Sequence, residues 1–133
     1  MIKYYDKHDF TEKELESLFL SVDWSSGKFP DKLVIAMKNF KTVFSAYDND
    51  KLIGMVCAMD DGIMNAYVHY LLVNPVYQNK GIGKELIKMV KEKYKDYLRI
   101  ALIGYYKAED FYKRMGFTKS DESYPFFITN LWT

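Results

Sequence analysis

A chain of 133 residues that is 49% hydrophobic and 17% aromatic has the size of one domain with a real core. Its net charge of +1 argues against a general nucleic-acid binder, which carries a strongly basic face, and no apolar run approaches the roughly 20 residues that span a bilayer. One cysteine, Cys57, and two histidines, His8 and His69, exclude an internal disulfide and argue against a thiolate or imidazole metal cluster.

The N-terminal MIKYYDKHDF lacks the basic start and apolar stretch of a signal peptide, so the expectation is a cytoplasmic α/β domain over residues 1–133. No repeat, low-complexity run or linker divides it. Residues 2–5 read as a short first strand. Thr11 to Glu14 form a capping box, with Phe10 and Leu15 placed as a hydrophobic staple, opening a helix to about Val22. Residues 24–28 read as a polar loop. Pro30 then starts a second helix that runs to about Phe40.

Residues 41–47 and 51–59 read as two strands joined by the turn residues Asp48, Asn49 and Asp50. A second turn, Asp60–Asp61–Gly62, leads into a longer strand over 63–73, making an antiparallel meander. The pattern Gly83, Leu86, Ile87, Val90, Tyr94 predicts a helix over 79–95. Residues 98–103 are a compact apolar run expected to form a buried strand. A short helix over 107–115 ends at Gly116, a favoured left-handed cap, and residues 124–132 are expected to close the chain as a last strand. This order predicts a mixed, mostly antiparallel central sheet with helices on both faces.

The junction between the long strand and the next helix, VNPVYQNKGIGKEL, concentrates a proline, an amide and two glycines. A helix N-terminus has unpaired N–H groups and partial positive charge. Gly81 and Gly83 remove two Cβ atoms there, while Lys80 and Lys84 add charge, as a phosphate cradle requires. From spacing alone, a cradle and a plain packing turn stay equally open. A dinucleotide fingerprint would need a glycine at Leu86, and a P-loop would need Ser or Thr at Glu85.

The pattern Gln-x-x-Gly-x-Gly, here Gln78, Gly81 and Gly83 after Val-Asn-Pro, resembles the pyrophosphate signature of the GCN5-related N-acetyltransferases. A second segment, Ala108 to Phe117, matches that family's A-x-x-F-Y-x-x-x-G-F pattern, and the resemblance spans Ala66 to Phe117. It implies direct transfer of an acetyl group from acetyl-CoA to a primary amine of a small molecule. The pyrophosphate would then lie on backbone N–H groups of Gln78, Asn79, Lys80, Gly81, Ile82, Gly83 and Lys84. The pantetheine arm would run along Leu71, Leu72 and Val73, with the Leu71 N–H as an oxyanion donor.

The resemblance also places Ala108 beside the coenzyme and the Tyr112 hydroxyl near its sulfur, as acid for the leaving thiolate. Some relatives carry a glutamate base where this chain has Tyr67. His69, two residues on, has a reference pKa near 6.5 suited to accepting the amine's proton, and alternation would put it on one strand face with Tyr67 and Leu71. A water chain to a carboxylate is the other way to move that proton. Tyr105 stands where many relatives have an asparagine against the coenzyme arm.

For the acceptor amine, the early helices and their loop offer Trp24 and Phe29, with Tyr67 and Tyr105 as further pocket residues and Asp23, Asp60 and Asp61 as carboxylates. Each also reads as an ordinary turn, cap or packing residue. Cys57 reads as a buried strand residue rather than a nucleophile. The apolar YPFFITNLWT end fits either a last strand or a homodimer surface. The rival to the enzyme is an acyl-CoA-binding sensor or partner module that keeps the cradle without catalysis. A site for a different nucleotide fits the motif pair less well.

Overall fold

Local signals set most element boundaries in the computed structural model, which describes residues 1–133. The Thr11 hydroxyl accepts the Glu14 N–H at 3.1 Å while the Glu14 carboxylate accepts the Thr11 N–H at 2.9 Å. This capping box opens helix α1 (Glu12–Ser21). Phe10 and Leu15 are buried in the same core cluster, as a hydrophobic staple requires. Pro30 occupies the first turn of α2 (Pro30–Asn39). The stretch between them is a short 3-10 turn, Ser25–Lys28, rather than an open loop.

Strands β1 (Ile2–Asp6), β2 (Thr42–Asp48), β3 (Lys51–Asp60), β4 (Asn65–Val73) and β5 (Arg99–Leu102) lie side by side in chain order. The first three pairings are antiparallel, and β4 pairs with β5 in parallel. Asn49 and Gly62 adopt left-handed φ at the two meander turns. Helix α3 (Ile82–Lys93) buries Leu86, Ile87 and Val90. The short α4 (Glu109–Arg114) follows a 3-10 turn at Tyr106–Ala108, and Gly116 beyond it is left-handed at φ 97°. The sheet thus separates two cores. One packs Leu15, Phe19, Leu33 and Met37 of α1 and α2 against Val43, Met55, Cys57 and Leu72. The other packs Leu86, Val90 and Tyr94 against Val56, Ala66 and Val68. The expected mixed sheet with helices on both faces is the observed one.

Four expectations need correction. Helix α3 starts at Ile82, not at residue 79, because Asn79 (φ 63°) and Gly81 (φ 84°) are left-handed and cannot continue a helix. Strand β5 is not buried: Arg99 and Ala101 are exposed while Ile100 and Leu102 are half-buried, because β5 is the sheet's last strand. Residues 124–132 form no strand, because nothing in the chain pairs with their backbone.

The fourth correction lies inside β4. Its register to β3 runs Ala58↔Val68 and then Cys57↔Tyr70, leaving His69 opposite no residue. This β-bulge breaks the two-residue alternation. Ahead of it Ala66 and Val68 point to the α3 core, and beyond it Leu71 and Val73 do. His69 therefore shares a face with Tyr67 and Tyr70, not with Leu71.

Candidate active site

The strand, the bulge and the glycine junction together build a cleft at the C-terminal end of β4. β5 pairs with β4 only up to Val68↔Leu102, so from His69 to Val73 one edge of β4 has no neighbour. The Asn74 N–H donates to the Ile53 carbonyl on β3 at 2.8 Å. Alternation then turns the Leu72 N–H towards β3 and the N–H groups of Leu71 and Val73 outward, into the gap. Two backbone donors expected from the sequence thus face open space on a rigid strand. The Val73 carbonyl on the same edge accepts the Gln78 side-chain amide at 2.9 Å, which ties the loop to the strand end.

The loop is held by short-range contacts. The buried Asn74 accepts the Val76 N–H at 3.0 Å, and Tyr77 donates to the Asp48 carboxylate at 2.7 Å. Gly81 caps α3 with no side-chain hydrogen bond, which leaves the first N–H groups of a three-turn helix uncapped. A Cβ on Gly81 would meet no atom within 4 Å, and one on Gly83 would make ordinary contact with Phe111 at 3.5 Å. Packing thus demands neither hydrogen side chain. Left-handed φ demands Gly81, and Gly83 keeps the helix end bare. Lys80 and Lys84 are both exposed beside it. Uncapped N–H groups, open space and two cations fit a pyrophosphate.

On the far side of the gap, Tyr112 lies on Gly104. A Cβ there would fall 2.7 Å from the Tyr112 Cε2 and 3.0 Å from Cδ2, so only glycine admits the ring at this approach. Phe111 and Phe117 pack edge-on around Tyr112 at 5.2 and 5.9 Å. Burial raises the Tyr112 pKa above its ordinary value, so the hydroxyl stays protonated at neutral pH, as a proton donor must. Ala108 precedes α4 and donates its N–H to the Tyr105 carbonyl at 2.9 Å.

His69 follows Val68, where the strands part. Its ring lies 4.3 Å from Tyr70, 5.8 Å from Tyr67 and 5.9 Å from Phe40. His69 is solvent-exposed; partial desolvation still lowers its pKa, which favours the neutral imidazole that can take a proton. No hydrogen bond or ring contact joins His69 on β4 to Tyr112, which lies on α4 against Gly104.

Around His69 the structure assembles an aromatic cluster. Tyr70 sits 6.1 Å from Trp24, and Trp24 sits 6.1 Å from Tyr105. The Tyr70 hydroxyl is 3.0 Å from the Ser26 hydroxyl. Trp24, Tyr67 and Tyr105 are thus gathered with His69. Phe29 caps α2 and makes no ring contact with the cluster. The carboxylates do other work. Asp61 accepts the N–H groups of Ile63, Met64 and Asn65, which holds its pKa far below the usual range. Asp60 accepts the Tyr94 hydroxyl at 2.8 Å. Cys57 is buried, its thiol pKa is raised by desolvation, and it contacts the Met37 sulfur at 3.4 Å, so it is inert. Tyr70, Ser26 and Gly104 were not foreseen: strict alternation turns Tyr70 away from His69, and an isolated glycine gives no sign of a ring lying on it.

The profile of the family described as "Acetyltransferase (GNAT) domain" matches residues 8–126. Among curated proteins, the chain is 31% identical over 116 residues to an uncharacterized N-acetyltransferase ycf52 of Pyropia yezoensis, covering 82% of this chain and 66% of that protein. It is also 31% identical over 122 residues to a histone acetyltransferase TAP1 of Glycine max, covering 82% of this chain and 52% of that protein. The chain therefore spans two thirds or less of the lengths of these relatives. Among solved structures, a GNAT family acetyltransferase, SP0256 from Streptococcus pneumoniae, superposes with a TM-score of 0.83 at 25% identity, covering 98% of this chain and 99% of that one. A parted β4–β5 edge, an uncapped glycine helix start and a tyrosine across the gap are thus joined by a family match over nearly the whole chain. The protein belongs to the GNAT acetyltransferase family.

Proposed function

We propose that the chain transfers an acetyl group from acetyl-CoA to the primary amine of a small molecule by direct attack. Acetyl-CoA supplies the activated acyl group. The observation that carries this reading is the unpaired edge of β4, whose Leu71 and Val73 N–H groups lead from the α3 N-terminus towards His69. The N–H groups of residues 81–84 would bind the pyrophosphate, with Lys80 and Lys84 adding charge. The N–H groups of Leu71 and Val73 would hold the pantetheine arm, and the Leu71 N–H would stabilise the charge that develops on the thioester oxygen.

An amine with a pKa of about 10 arrives mostly protonated at neutral pH. The neutral His69 is the base this geometry favours, taking the proton directly or through one water. Tyr112, kept protonated by burial, would donate to the departing thiolate. The aromatic rings around His69 would desolvate the amine and offer π faces to a cation. One observation favours the rival, a non-catalytic acyl-CoA sensor: burial alone perturbs His69, with no carboxylate acting on it.

The test is acetyl-CoA turnover, followed by product mass, across arylalkylamines, polyamines, aminosugars and lysine peptides. Transfer to one small-amine class, lost in Tyr112→Phe, is the expected result. Transfer confined to lysine peptides would remove the small-molecule assignment. Tight CoA binding with no transfer to any amine would favour the sensor.

A further inference from the structure

Tyr70 is the hub of the aromatic cluster and the one polar ring in it that is tied by a hydrogen bond. Its ring lies 4.9 Å from Phe19 of α1, 6.1 Å from Trp24, 6.1 Å from Phe40 at the end of α2, and 4.3 Å from the imidazole of His69. Segments far apart in the chain thus meet on one phenol. The bulge makes this possible. With strict alternation Tyr70 would face the α3 side, and neither the contact with His69 nor the bond to Ser26 could form.

The anchor is rigid. Ser26 is 3% exposed and lies in the 3-10 turn Ser25–Lys28, whose Gly27 sits so close to α1 that a Cβ would fall 2.8 Å from the Leu20 Cδ2. The Ser26 hydroxyl donates to the Thr133 main-chain oxygen at 2.8 Å, and the Ser26 N–H donates to the same oxygen at 2.7 Å. A serine has one hydroxyl proton to give. With that proton on the Thr133 oxygen, the 3.0 Å bond to Tyr70 runs the other way: the phenol donates and Ser26 accepts. The Tyr70 proton is therefore committed to the fold and is not offered to a substrate.

His69 has no such tie. It stands opposite no residue of β3, its ring is exposed, and only the rings of Tyr70, Tyr67 and Phe40 limit its rotation. We propose that Tyr70 is the positioning residue for His69: anchored through its hydroxyl to Ser26, the phenol ring holds the imidazole beside the parted edge of β4. Its bearing on catalysis rests on the reading of His69 as the base. The titratable groups against the imidazole are the phenols of Tyr67 and Tyr70, both shifted upward by burial, and no charged group contributes to the lowered pKa of His69. The titration of His69 therefore reports how these rings are held.

The experiment is an NMR pH titration of the histidine ring protons in the full chain. There are two histidines, and His8, whose Nδ1 donates to the Met37 carbonyl at 2.8 Å, serves as internal control. Tyr70→Phe keeps the ring and removes the tie. It should keep the wild-type circular dichroism, move the His69 signals towards their solvent positions, raise the His69 pKa towards 6.5 and leave His8 in place. A higher pKa leaves more imidazolium below neutrality, so the acid limb of kcat/KM should move to higher pH, with activity there falling about threefold. CoA affinity by calorimetry should not change. Ser26→Ala removes the same bond from its other end, and the double variant should displace His69 no further than Ser26→Ala alone, since the pair acts as one unit. Unmoved His69 signals in Tyr70→Phe would overturn the proposal. So would equal displacement of His8, which marks general loosening, or effects that add in the double variant. Displaced His69 signals with an unmoved acid limb would uphold the tether and remove His69 as the base.

Discussion

Replacing Gly104 by alanine changes one hydrogen to a methyl group outside the cleft's polar groups, yet it should disable the site. The added Cβ would stand 2.7 Å from the Tyr112 Cε2, 3.0 Å from its Cδ2 and 3.3 Å from the Leu102 Cδ1. Ordinary carbon contacts begin near 3.5 Å, so the ring must retreat by roughly 0.8 Å. Phe111 and Phe117 lie against it, so retreat repacks the residues beside Gly83 or swings the hydroxyl off its line. Overpacking of this kind costs about 1–3 kcal/mol of stability. Misplacement of a reacting group by about 1 Å costs on the order of 100-fold in rate.

Gly104→Ala should therefore lower kcat about 30- to 100-fold, close to the effect of Tyr112→Phe, while the CoA dissociation constant changes little. The assay is steady-state kinetics at saturating acetyl-CoA, with thermal unfolding and calorimetric CoA titration on the same samples. Full kcat in a folded Gly104→Ala variant would refute the argument that the ring's position on Gly104 sets the rate.

Tyr112→Phe keeps the packing and removes the hydroxyl, so kcat should fall about 100-fold with an unchanged melting temperature; equal turnover rules out the acid role. His69→Gln should abolish the acid limb of the kcat/KM profile. Burial lowers the folded-state pKa of His69 below 6.5, so wild-type activity should rise with pH through that lowered value and level off before neutrality. A profile unaltered by the substitution points to a different base. Gly83→Ala should separate stability from binding: helix propensity favours alanine by about 1 kcal/mol, and its Cβ meets only ordinary contact. The variant should melt higher and bind CoA about tenfold more weakly, if phosphate approaches that helix end. Unchanged affinity would place the pyrophosphate elsewhere.

What the sequence discloses here is what depends on a few neighbouring residues. The Thr11–Glu14 box, Pro30 at a helix start, left-handed Gly116 and the meander turns are all of this kind. What it hides depends on partners distant in the chain. The bulge at His69 comes from how β4 meets β3, and no single-strand pattern marks it; it turns Tyr70 into the aromatic cluster around His69 and puts the Leu71 side chain on the α3 side. Gly104 matters only because α4 folds back upon it. Of the two apolar runs, residues 98–103 contain the exposed edge strand β5 and residues 124–132 form no strand. Composition marks such runs as apolar, but pairing and burial depend on elements distant in the chain.

The backbone edge of β4 is the centre of the account, and it can be observed without any turnover. A ¹H–¹⁵N correlation spectrum of the protein titrated with CoA reads the Leu71 and Val73 amides directly, with Leu72 as the internal control turned towards β3. Large shifts and slowed exchange are expected at Leu71, Val73 and residues 81–84, with a smaller response at Leu72. Binding of CoA that leaves Leu71 and Val73 unperturbed would contradict it.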